Sequence, residues 1–146
     1  GHPDLCPFED EDAFGLLSLL GADLATRYRP LAADEHLIDG QRQAALQLSI
    51  AEDYLNAGQN LECESAAEEA LALFRGTGDE HGVIDALRLL LETRRSRSGA
   101  TSSRLDDVAK PAVEELARCR EANNARGVVC MRVFLAETRA RHARGA

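Results

Sequence analysis

The chain has no tryptophan, one methionine and an aromatic content of only 4% over 146 residues. A core so poor in large rings must be closed by Ala, Leu and Val at short range, which suits closely crossing helices. It also offers little for stacking on nucleobases, so nucleic acid is not an expected partner. Lysine is scarce too: Lys110 is the only one, and nearly all the positive charge is arginine. No apolar run is long enough to cross a bilayer, and no stretch keeps the period-2 alternation of a half-buried strand. These absences predict a single soluble all-α domain with no transmembrane segment. Cys6, Cys63, Cys119 and Cys130 contain no CxxC spacing, which speaks against structural zinc and against a thioredoxin-like motif. His2, His36, His81 and His142 are scattered, none with a carboxylate, Ser or Cys at a recognised catalytic spacing. With no Gly-rich phosphate loop after a strand, the expectation is a protein that is not an enzyme and has no cofactor and no metal. His2 with Cys6 would need ligands from elsewhere.

What the chain does have is an internal repeat. Shifted by 45 residues, Ala67, Glu69, Leu71, Ala72, Arg75, Gly82, Val83, Glu92, Thr93 and Arg94 fall on Ala112, Glu114, Leu116, Ala117, Arg120, Gly127, Val128, Glu137, Thr138 and Arg139 without a gap. Self-similarity at this period marks repeat architectures. A third copy of the first half-unit begins near Gly40, so units are expected at about 40–81, 82–126 and 127–146. Each carries two apolar patterns of helical spacing. In the first unit these are Ala44, Leu48, Ala51 and Leu55, ending at Gly58, and then Cys63, Ala67, Ala70, Leu71 and Phe74, ending in the stretch from Gly76 to Gly82. Glycine just past the last periodic residue is a C-cap signal. The second unit predicts helices over about Val83 to Arg97 and Leu105 to Glu121, with Pro111 arguing for a later start of the latter.

The first unit resembles the tetratricopeptide repeat family. Ala51 followed three positions on by Tyr54, the turn glycine Gly58, the small residues Cys63 and Ala70, and Leu71 all fit its pattern. In the later units Arg94 and Arg139 stand at the Tyr position, and the turn after Arg97 is longer. The resemblance covers about residues 40–146. It implies a short right-handed α-solenoid of antiparallel helix pairs, serving as a protein-protein interaction module, a scaffold or an accessory subunit of a multiprotein assembly, in the cytoplasm or an organelle. The alternative is a small-molecule-binding or enzyme-associated regulatory domain, which requires a buried polar cluster.

By the same resemblance, first helices line a concave groove. Its positions are Ala45, Leu48, Glu52, Leu55 and Asn56, then Asp85, Arg88, Glu92, Arg95 and Ser96, then Cys130, Val133, Glu137, Ala140 and Arg141. Glu52, Glu92 and Glu137 are expected at one equivalent position. The Lys and Asn set with which some members clamp a C-terminal carboxylate is missing, which implies a mixed-charge groove for another protein surface.

Residues 1–39 fall outside the repeat. One helix is predicted from about Glu11 to Tyr28, with Leu16, Leu17, Leu20 and Leu24 as its apolar stripe, expected to cover the end of the first hairpin, the alternative being an arm that docks on a neighbouring protein. The net charge of −8 is split: residues 1–85 carry 18 acidic and 4 basic side chains, residues 86–146 carry 7 and 13. Either the basic half is a solvated face threaded with pairs such as Arg88 with Glu92 and Glu137 with Arg141, or it grips an acidic partner; self-association of acidic end with basic end is also open. The stretch from Arg94 to Arg104 is expected as a lengthened surface turn, with Ser96, Ser98, Thr101, Ser102 and Ser103 as candidate phosphorylation sites. Cysteines on helices favour a reducing compartment, and Gly1 reads as a processed or trimmed start.

Overall fold

The computed structural model describes residues 24–98 and 102–145, and over them the chain is helical with short turns. The helices are α1 (Leu24–Ala32), α2 (Asp39–Asn56), α3 (Asn60–Thr77), α4 (Glu80–Ser98), α5 (Ser102–Glu121) and α6 (Ala125–Gly145). The expected helices of residues 40–121 are therefore present, and none is long and apolar enough to cross a membrane among the described residues. Leu16, Leu17 and Leu20 of the expected N-terminal stripe, together with Thr101, lie outside the described residues.

Each helix packs on its neighbour in the chain, α2 on α3 most extensively. In addition α2 reaches α4, and α4 reaches α6. The α2 and α3 seam is made of Ala44, Ala51, Cys63, Ala67 and Ala70, all with no exposed surface. Small side chains let helix axes approach closely, so the scarcity of aromatics is met by short interaxial distance. The central element is α4, buried along nearly its whole length from Gly82 to Leu91.

Three turns share one geometry. Gly58 and Gly78 adopt φ of 78° and 72°, and Asn123 takes 57°, all left-handed. In each, the next residue's N–H reaches the carbonyl five positions back: Gln59 to Tyr54 at 2.9 Å, Asp79 to Phe74 at 3.0 Å and Asn124 to Cys119 at 2.8 Å. These are Schellman caps, with glycine, or asparagine as the next best residue, in the strained position. The following helix starts at once: Asp79 Oδ1 accepts from the Gly82 N–H and Asn124 Oδ1 from the Gly127 N–H, both at 3.0 Å. A Cβ on Gly82 would lie 2.2 Å from the Phe74 ring, and one on Gly127 2.4 Å from Cys119 Sγ. Phe74 and Cys119, like Gly82 and Gly127, are 45 residues apart. Thr93 and Thr138, a further such pair, donate to the carbonyls of Leu89 and Phe134 one turn earlier, at 2.8 and 2.9 Å.

Two expectations are corrected. Pro111 lies in the interior of α5 and does not delay its start; proline removes the bond to the carbonyl of Asp107, but Asp107 is exposed and water can serve that carbonyl. The Arg94 to Arg104 stretch is no open turn, since its first five residues complete α4 and Ser102 to Arg104 begin α5. Arg94 and Arg97 hold the last turns of α4 by reaching Glu64 of α3 at 3.0 and 2.8 Å, Arg94 also binding Glu68 at 2.8 Å.

Candidate functional site

The face of α4 expected to line the groove carries two adjacent charged clusters. The first is centred on Asp85, which is 2% exposed. It accepts from the Tyr28 hydroxyl of α1 and from the Arg126 guanidinium of α6, and Arg27 lies 3.8 Å away. Burial, and then the Asp85 carboxylate, push the Tyr28 hydroxyl far above its usual range, so it stays a donor. Burial opposes the charge of Arg126, yet Asp85 outweighs it and raises the guanidinium above its ordinary value. Tyr28 also packs edge-on against Phe74 at 5.7 Å between ring centres. Through these contacts α1 seals one end of the α4 face.

The second cluster joins Arg88, Glu92 and Arg95 of α4 to Glu137 and Thr138 of α6. Spacings of three, four and seven residues put the α4 side chains on one helix face. Arg88 lies 3.3 Å from Glu92 and 3.6 Å from Glu137. Arg95 makes a close pair with Glu92, stands 3.6 Å from Glu137, and donates to Thr138 Oγ1 at 3.1 Å. Both guanidiniums also donate across to α6 carbonyls, Arg88 to Cys130 at 3.4 Å and Arg95 to Phe134 at 3.3 Å. The Phe134 ring lies under Arg95 at 4.6 Å. Burial lowers the proton affinity of Arg88, against the pull of Glu92 and Glu137; an arginine so paired stays charged. Arg88 Nε and Arg95 Nε are buried with no hydrogen-bond acceptor.

Asp85, Arg88, Glu92, Arg95 and Glu137 thus lie in two neighbouring clusters, with Asp85, Arg88 and Arg95 buried. Arg88 and Arg95 are buried, so the pairing of Arg88 with Glu92 is no solvated surface pair. Glu52 is buried on α2 and engaged, Asn56 is exposed at the end of α2, and Ser96 is exposed near the end of α4. The side chains of Ser98, Ser102, Ser103 and Arg141 lie outside the described residues. Counted from the helix starts at Asp39, Glu80 and Ala125, Glu92 and Glu137 hold the same place and Glu52 comes one residue later, about a quarter-turn round. Sequence comparison missed Tyr28 and Arg126. Arg126 carried a usable signal, since it precedes Gly127 as His81 precedes Gly82.

On the opposite side, α5 stands off from α3 and α4 and leaves two clefts of about 360 and 380 Å³. Leu71, Leu87 and Leu90 are among the residues lining the larger. Between them Glu115 Oε1 accepts from Arg75 at 3.1 Å and Arg118 at 2.7 Å. Of the basic half, Arg94, Arg97 and Arg126 pair with carboxylates of the acidic half, while Arg88, Arg95 and Arg118 pair within their own half. Cys119, lining the smaller cleft, has its thiol pushed up to about 11 by burial and then Glu115. Among the described residues no three His, Cys, Asp or Glu side chains gather to hold a metal ion. Compared with known proteins, the chain matches no family model, no curated protein and no solved structure.

Proposed function

We propose that the chain is a non-catalytic protein-protein interaction module, built as a short right-handed α-solenoid of tetratricopeptide-like helix pairs and serving as a scaffold or accessory subunit of a larger assembly. The observation that carries this reading is the row formed by α2, α4 and α6, each touching the next while also packing on its chain neighbours. The recurrence of cap, glycine contact and threonine bond at a 45-residue interval supports the same arrangement. Stacked hairpins of this kind present one extended face made of first helices, a surface suited to another protein. Here that face carries Glu92, Glu137 and the rim of the arginine cluster. Crosslinking mass spectrometry on the complex purified from its native source tests this. Reproducible crosslinks from α4 and α6 to one defined set of chains are expected, and recovery of the chain alone under complex-preserving conditions overturns it.

A second reading, a small-molecule-binding regulatory domain, gains from the buried cluster of Arg88, Glu92 and Arg95, the feature that alternative requires. A thermal-shift screen separates the two, because a ligand that binds only the folded chain raises its midpoint in proportion to the logarithm of concentration.

A further inference from the structure

The arginine cluster is built around two cations and closed by an anion that fits it loosely. We propose that Arg88 and Arg95 form a latent carboxylate-binding site, that Glu137 is its resident occupant, and that an acidic segment of a protein partner displaces Glu137. This rests on the interaction-module reading and names the chemistry of the partner.

The two glutamates of the cluster are held differently. Glu92 hydrogen-bonds both guanidiniums from within the same helix. Glu137 lies 3.6 Å from each, outside hydrogen-bonding distance, so among the described residues it meets the two guanidiniums through ion pairs. Its side chain is 45% exposed, against 4% for Arg88 and 1% for Arg95. The position its carboxylate fills therefore opens on solvent while the cations behind it do not. Glu137 is the member of the cluster that can swing into water without carrying a buried side chain out with it, and its departure leaves the buried cations short of one counter-charge, so the place it vacates calls for another anion.

The arginines cannot follow. Arg88 is tied to the Cys130 carbonyl, and Arg95 to the Phe134 carbonyl, to Thr138 and to the Phe134 ring. They stand two helical turns apart as a fixed, water-poor pair of donors. It is the terminal nitrogens Nη2 of both arginines that face the Glu92 and Glu137 carboxylates; the two Nε atoms are buried without an acceptor among the described residues. With Glu137 in place the four formal charges cancel; with Glu137 withdrawn one positive charge is in excess. A monoanion restores neutrality and a dianion overshoots it, which favours a carboxylate over a phosphate. Val133 and Ala140, one turn to either side of Glu137 on α6, are small, leaving room for an extended chain to approach.

The test uses the whole chain and its Glu137→Gln variant, a change at a half-exposed position that leaves the buried pairs intact. Arginine Nε–H resonances are followed by NMR while a capped tetraglutamate peptide, inorganic phosphate or a capped tetralysine peptide is added at low salt. The expected result is that tetraglutamate shifts the Arg88 and Arg95 signals in both proteins, about tenfold more tightly in Glu137→Gln, and that tetralysine shifts neither. Equal affinities, or no movement at Arg88 and Arg95, overturn the proposal. Tighter binding of phosphate than of tetraglutamate also overturns it, in favour of a phosphorylated ligand. The titration needs no native partner, so an empty crosslinking experiment counts against the module reading and leaves this site standing.

Discussion

The hairpin of α2 and α3 and the pair formed by α4 and α5 are joined in the same chain order but packed very differently. In the first, a Schellman cap at Gly58 folds one helix directly onto the next, and a seam of alanines with Cys63 lets them press together. In the second, α5 leans mainly on α6, touches α4 only lightly, and leaves clefts bridged by Arg75, Glu115 and Arg118. Both links are three residues long, so the difference teaches that closeness in this fold is set by the size of the residues at the crossing and not by the length of the link. The first pair is a rigid platform; the second is a helix held at arm's length by ion pairs.

The largest test of that contrast compares equivalent core positions. Phe74 lies beneath Gly82 and Cys119 beneath Gly127. Phe74→Ala is expected to cost about 3 to 5 kcal/mol in chemical denaturation, through lost transfer energy and a cavity. Cys119→Ala should cost about 1 kcal/mol, because one sulfur is removed beside an existing cleft. Similar losses at the two sites would show that the joint between α3 and α4 and the joint between α5 and α6 are equally tight.

Overpacking sharpens the comparison from the other side. Ala67 and Ala112 are equivalent and both fully buried. Ala67→Leu must push α2 and α3 apart and is expected to lower stability by about 2 to 3 kcal/mol, whereas Ala112→Leu, next to Pro111 on the cleft wall, should lose about 1 kcal/mol. Thermal midpoints of the two variants decide between unequal and equal seams.

The ion pairs that hold α5 give a smaller effect. Arg75 and Arg118 are each about half exposed, so solvent screening limits their worth. Glu115→Gln should cost no more than about 1 kcal/mol globally. Amide hydrogen exchange is the sharper readout: exchange should quicken in α5 and leave α2 and α3 unchanged.

The smallest effect is on pH dependence. Burial raises the thiols of Cys63, Cys119 and Cys130, that of Cys119 to about 11. A thiol whose folded value lies above its unfolded value favours the fold at pH below the unfolded value, and that contribution disappears as pH climbs through the folded one. Stability should therefore decline from about pH 9 toward pH 11, and replacing Cys119 by Ala should flatten the decline. An unchanged profile in that variant would assign the decline to other groups.

Much of the helical layout was legible because it depends on local signals. Apolar spacing located α2, α3 and α4, and the glycine at position 58 marked a real left-handed cap. Pro111 and the Arg94 to Arg104 stretch misled, since helix propensity and pairing to Glu64 outweigh a local breaker signal. At the site, the residue types were legible and their burial was not. Whether Arg95 faces water or Phe134 is decided by α6 lying across it, a contact between residues about forty positions apart. Tyr28 went unnoticed for the same reason: its partner Asp85 is 57 residues away.

The glycines at 82 and 127 have a geometrical meaning beyond permissiveness. Each marks the spot where a new helix grazes the one just completed, so the side chain beneath acts as a shim whose thickness sets the tilt at that joint. An aromatic ring fills one joint and a lone sulfur the other. Exchanging those two residues would therefore change how α4 leans on α3 and how α6 leans on α5, while leaving each helix intact.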